Sequence, residues 1–122
     1  MLKKQNLFGQ IPADLTVEVF DILYQKHGVT IERIVSNGQS SPEQGWYQQS
    51  HDEWVIVLQG SASLGFETED DVQLAAGEHI LIPSMMKHKV VTTSSNPPTI
   101  WLAVHVNNPA GCCADNADGT AL

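Results

Sequence analysis

Residues 45–60 read GWYQQSHDEWVIVLQG. The run Trp54 to Leu58 is wholly apolar and ends at Gly60. It is short for a helix and suits a buried strand. In an extended chain alternate side chains point to opposite faces, so Gln49, His51 and Glu53 share a face with Val55 and Val57. A carboxylate on a core-facing strand costs several kcal/mol unless something compensates its charge. A metal ion, a bound polar ligand, or hydrogen bonds from Tyr47, a backbone N–H or water would do so.

Outward from this stretch the chain reads as a series of short strands. Val29 to Val35 is β-branched and mixed in polarity, and Asn37 to Gln44 is a loop by composition. Ala62, Leu64 and Phe66 alternate with small or polar residues, as in a half-buried strand. The acidic stretch Glu67 to Asp71 is a hairpin loop. Val72 with Leu74, Ile80 to Ile82, His88 to Thr93 and Ile100 to Val106 complete seven or eight strands. No strand–helix–strand alternation appears, so the fold class is an antiparallel all-β barrel or sandwich. One short helix is expected before Gly28. Asp14 is placed to cap it, Leu15, Val19, Ile22 and Leu23 fall on one helical face, and Gly28 stops it after Lys26. The expected organisation is an N-terminal arm and helix over 1–28, a barrel over 29–106 and a flexible polar tail over 107–122.

The chain has 122 residues, enough for one core of ordinary size. Six Lys and Arg stand against fourteen Asp and Glu, a net charge of −8. This balance argues against nucleic acid or an anionic membrane as the main partner, since both require clustered basic residues. No apolar run approaches a membrane span, and the N-terminus lacks a signal-peptide core, so a cytoplasmic location is expected. The two cysteines, Cys112 and Cys113, are adjacent and are expected to be exposed, reduced thiols. Both faces of Trp54 to Leu58 are apolar, whereas an exposed strand alternates. A homodimer is therefore expected, with one sheet face or the N-terminal arm against the partner.

A second stretch, residues 77–93, reads GEHILIPSMMKHKVVTT. His88 follows a proline turn and shares a strand face with Val90. If its strand faces the first, His88 approaches Glu53. His105 shares a face with Trp101 and Ala103 and is either a third ligand, behind Gln49, His51, Glu53 and His88, or a satisfied core residue. Two or three imidazoles with one carboxylate form a ligand set for Fe(II), Mn, Ni or Zn. Glu53, His88, His51 and Gln49 are the candidate metal ligands, and Tyr47, Met85 and His105 the candidate pocket residues. His27 and His79 are placed at the surface. No Gly-x-Ser-x-Gly or Walker motif competes.

Over about residues 29 to 106 the chain resembles the cupin family, whose fold is a small double-stranded β-helix. Glu53, six residues and Gly60 match the second half of the first cupin motif. The motif's two histidine places fall on Tyr47 and Gln49, or on Trp46 and Gln48. Gly77, Pro83 and His88 match the second motif in register, with Met85 in place of its glycine and Thr92 in place of its asparagine. Trp46-Tyr47, Gln49, Glu53-Trp54-Val55 and the ending Trp101 to His105 are similar to a subgroup of small bacterial cupins. The resemblance implies one pocket inside the barrel, holding a divalent metal or a small polar molecule. If enzymatic, such a site would activate dioxygen or bind a hydroxy or keto acid for isomerisation. The other reading is a non-catalytic ligand-binding or structural homodimer that has lost its metal.

Overall fold

A computed structural model describes residues 1–107; the Cys112–Cys113 pair and residues 108–122 lie outside the described residues. Eight strands follow in order: β1 Val19–Lys26, β2 Val29–Ser36, β3 Asp52–Gln59, β4 Ser61–Phe66, β5 Val72–Ala75, β6 His79–Ile82, β7 His88–Thr93 and β8 Thr99–Val106. They form a five-stranded sheet, β1-β2-β8-β3-β6, and a three-stranded sheet, β5-β4-β7. Every pairing is antiparallel. Seven of these strands lie where the alternation of apolar residues places them.

The expected N-terminal helix does not form. Asp14 makes a local turn instead, its carboxylate accepting from the backbone N–H of Thr16 at 3.1 Å and from its hydroxyl at 2.7 Å. The segment after it becomes β1, paired with β2 from Val19↔Val35 to Lys26↔Val29. Val19, Phe20, Ile22 and Tyr24 favour a pleated conformation. A three-turn helix here would be marginal by itself, whereas a strand gains a ladder with β2, interrupted only by a bulge at Leu23. His27 and Gly28 form the two-residue hairpin turn, with φ of 49° and 82°. Both central residues have the positive φ that such a turn demands. Gly28 therefore ends a strand, not a helix.

The core lies between the two sheets. Val55, Val57, Ile82 and Trp101 from the larger sheet pack on Ala62, Leu64, Phe66 and Leu74 from the smaller. Burying each large side chain contributes about 1.5–3 kcal/mol. Trp101 donates its indole N–H to the Ser36 hydroxyl at 3.1 Å, so its one polar atom is satisfied within the core. The inward faces of β2, β3, β7 and β8 continue past this apolar layer towards one end of the barrel. There the inward positions change from Val55, Ala103 and Ile34 to Glu53, His105 and Glu32.

Candidate functional site

Strand pairing fixes the placement of these polar groups. Glu53 pairs with His105 across β3 and β8. Glu32 lies on β2 beside β8, where Thr30 pairs with His105 and Glu32 with Ala103. His88 opens β7, paired to Phe66 on one side and bridged to Tyr47 on the other. His51 immediately precedes β3. Two sheets thus deliver two carboxylates and three imidazoles to one end of the barrel.

Three of these groups form a continuous chain. His105 Nε2 lies 2.8 Å from Glu32 Oε1. A carboxylate only accepts, so His105 donates from Nε2. Its Nδ1 is 2.9 Å from His51 Nε2. When His105 is neutral, its Nδ1 is an acceptor and His51 is the donor, which leaves the lone pair of His51 on Nδ1. The two rings meet edge to face, with centroids 5.0 Å apart. Gln25, Thr30, Glu32, Gln49, His51 and His105 line an adjoining cleft of about 310 Å³.

Behind this chain is a second pair. His88 Nε2 is 3.7 Å from Glu53 Oε1, an ion-pair separation beyond hydrogen-bond length. Glu53 Oε2 is 4.0 Å from His105 Nε2. His88 donates from Nδ1 to the Met86 carbonyl at 2.9 Å, which directs Nε2 towards Glu53. The ring is buried, with Tyr47 at a 5.7 Å centroid distance and Phe66 at 6.5 Å. Burial pulls the His88 pKa down, but Glu53 and the Met86 carbonyl outweigh it and hold it above the ordinary value. His105 is also held up, first by its bond to Glu32, against burial, with Glu53 adding to the effect.

The sequence-predicted residues divide into three groups. Glu53 and His88 come together. His51 and Gln49 line the cleft with His105, one step further out. Met85 lies at the exposed turn after β6, where its carbonyl accepts from the Gln48 carboxamide at 3.1 Å. Glu32, the anchor of the chain, was not among the predicted residues. The alternation that placed Glu53 on the core face also places Glu32 on the face of Ile34, so the signal was present in β2. His27 and His79 are exposed, as expected, and His79 stacks on Trp54 with centroids 5.2 Å apart.

A catalytic transition-metal site draws on about three protein donors. Here both ring nitrogens of His105 are engaged, and Nε2 of His51 is turned to His105. Free donor atoms remain on Glu53 and His88 and, one step further out, on Nδ1 of His51. Among the described residues no three His, Cys, Asp or Glu side chains are grouped to hold a metal ion. The arrangement does not fit the ion expected from the sequence, because the imidazoles that would complete the set bond to each other and to Glu32. No helix among the described residues is long and apolar enough to cross a membrane.

A family model described as a cupin domain matches residues 32–105. Among solved structures, a Ralstonia eutropha protein described as a candidate mannose-6-phosphate isomerase is 39% identical. The match covers 87% of this chain and 99% of that one, with a TM-score of 0.82. A cupin superfamily protein of Desulfitobacterium hafniense is 18% identical over 79% of this chain and 83% of its own, with a TM-score of 0.67. An RmlC-like cupin of Methanocaldococcus jannaschii with a double-stranded β-helix fold is 17% identical over 87% and 92%, with a TM-score of 0.64. A search of curated proteins found no match to this chain.

Proposed function

The chain belongs to the cupin domain family, and on that premise we propose that its barrel end binds a small uncharged hydroxy-carbonyl compound and isomerises it by proton transfer. The observation that carries this reading is the Glu32–His105–His51 chain. His51 Nδ1 is the base. It takes a proton from the carbon beside the carbonyl, and the electron pair of that C–H bond becomes the new C=C bond. The carbonyl oxygen takes a proton from water or from the neighbouring hydroxyl. As His51 gains a proton at Nδ1, it passes its Nε2 proton to His105. The positive charge then rests on His105, between Glu32 at 2.8 Å and Glu53 at 4.0 Å. Return of a proton to the adjacent carbon gives the isomer. Preorganised carboxylates beside a developing charge lower the barrier because they need no reorganisation during the step.

The 39% identical Ralstonia protein supports an isomerase class. The cleft's own lining points away from a phosphorylated sugar. It carries Glu32, which repels a phosphate dianion, and no lysine or arginine to clamp one. Its Gln25, Thr30 and Gln49 side chains suit hydroxyl groups.

The test is deuterium exchange in D₂O, followed by NMR, with mannose, mannose 6-phosphate and short hydroxy-ketones. Exchange at the carbon beside the carbonyl is expected with an uncharged member and is lost in His51→Ala. Exchange that survives His51→Ala overturns the assignment of the base. Binding without exchange in the wild-type protein supports the non-catalytic reading instead.

A further inference from the structure

Within β1 the alternation of side chains changes phase. Phe20 pairs with Ile34 and Ile22 with Glu32, so both lie on the inner face of the sheet. Leu23 is then bulged, after which Tyr24 pairs with Ile31 and Gln25 with Thr30. Without the bulge Tyr24 would point inward. With it Tyr24 turns outward and Gln25 turns in, where its carboxamide donates to the Thr30 hydroxyl at 3.0 Å and lines the cleft. Bulges re-aim side chains in this way and are over-represented beside active sites.

Phe20 and Ile22 are the inward residues that β1 leaves outside the cleft. They are 54% and 60% exposed. Their partners on β2 are covered: Ile34 packs against the core and Glu32 bonds to His105. β1 is the edge strand of a five-stranded sheet that faces a sheet of three, so it overhangs the interior. Ile22 stands directly across from Glu32, at a Cβ separation of about 5 Å, and begins where the wall of the cleft ends. Phe20 lies two strand positions further and extends the surface by about 7 Å. The inner positions of β1 carry no charge. Asp21 points to the outer face, where it pairs with Arg33. Glu18, beyond Phe20, accepts from the buried Ser36 hydroxyl at 2.6 Å.

We propose that Phe20 and Ile22 form an apolar subsite continuous with the cleft, and that the ligand is an uncharged hydroxy-ketone or hydroxy-aldehyde carrying an alkyl or aryl substituent. This rests on the hydroxy-carbonyl reading of the cleft and adds the group beyond the reacting carbons. The polar head belongs with Gln25, Thr30, Gln49 and His51. A cleft of about 310 Å³ is at the lower limit for a ligand site, so it takes the head and leaves the substituent along β1. Glu32 stands at the junction and repels an anionic amphiphile. A second copy of the chain fits the subsite poorly. Two side chains fall far short of the roughly 800 Å² that each partner buries in a stable interface, yet they suffice for one phenyl or pentyl group.

The test compares the dissociation constants of hydroxyacetone and hydroxymethyl butyl ketone by NMR titration, with exchange in D₂O followed on the same samples. Covering one side of a methylene tightens binding by a factor of about two, so the three additional methylenes should give about eightfold. The double variant Phe20→Ser, Ile22→Ser should reduce that ratio below about twofold and bind hydroxyacetone as the wild type does. Both side chains are exposed, so it should fold, as circular dichroism will check. Phe20→Leu keeps an apolar side chain and should keep most of the ratio. Tyr24→Ser, 53% exposed on the outer face, should leave it unchanged. A wild-type ratio near one, or a ratio indifferent to the double variant, overturns the subsite, and exchange in the same samples would leave the isomerase reading standing. A steep ratio without exchange does the reverse, supporting the subsite and removing the isomerase chemistry. A ratio lost equally in Tyr24→Ser overturns the subsite as well. So does a fall in the solution mass of the double variant, which assigns these side chains to a second copy. Failure to bind either ketone overturns both readings.

Discussion

Met85 holds a left-handed backbone, with φ of 68°, at the place where the second cupin motif has glycine. A side chain there costs about 1–2 kcal/mol. Met85→Gly should therefore raise stability by about 1 kcal/mol, less the entropy glycine adds to the unfolded chain. Chemical denaturation at constant m-value measures it; a loss of stability would mean that Met85 packing outweighs its backbone strain. Gly60 shows the opposite case, with φ of 81°. A Cβ on it would meet Ser94 Oγ and lie 3.1 Å from the Pro98 carbonyl oxygen. Gly60→Ala should cost more than the conformational strain alone, about 2 kcal/mol or above. The polar residues carry a third expectation. Because His105 and His51 bond to each other and to Glu32, calorimetric titration with Zn, Ni, Mn or Fe(II) near neutral pH should find no tight site. A stoichiometric site lost in His88→Ala would show that the chain opens to bind metal.

Among the elements, β1 and β2 show what the sequence made legible and what it hid. The strands from β2 to β8 could be read because their alternating or continuous apolar runs have no helical counterpart. β1 could not, because Leu15, Val19, Ile22 and Leu23 also satisfy a helical period. Gly28 ends either element equally well. Only pairing with the open edge of β2 decides between them, and that is a long-range fact. Glu53 and His88 were legible for the reason β3 and β7 were: alternation put each on the core face. Glu32 follows the same rule within a strand read chiefly for its β-branched residues. The site's connectivity was hidden, because hydrogen bonds between β2, β8 and the residue before β3 depend on register. Arg33 was hidden likewise. It reaches Asp21 at 2.7 Å and the carbonyls of Leu7, Gly9 and Gln10, and so fastens β1 and the N-terminal segment to β2. Arg33→Met removes these bonds and leaves three carbonyls without their donor. It should cost about 2–3 kcal/mol and make residues 1–15 the first site of limited proteolysis. Unchanged cleavage of that segment would show that apolar packing alone holds it.

For the whole molecule, the paired histidines make stability depend on pH. His88 and His105 are held above the ordinary histidine value of 6.5 by Glu53 and Glu32 respectively, against the effect of burial. A group with a raised pKa in the folded state binds its proton more tightly there than in the unfolded chain. Its contribution is therefore complete below about pH 6.5 and is lost as pH rises through the folded value. Deprotonation also removes the positive charge that lies 2.8 Å from Glu32 and 4.0 Å from Glu53 on His105, and returns the net charge to −8. Both effects have the same sign. Scanning calorimetry should give a higher Tm near pH 6 than near pH 8.5. Glu32→Gln removes the main partner of His105 and should flatten the slope, whereas His79→Gln, at an exposed position, should not. A Tm that rises over this interval would show that the buried imidazoles are neutral and pay no part of the folded state's proton binding.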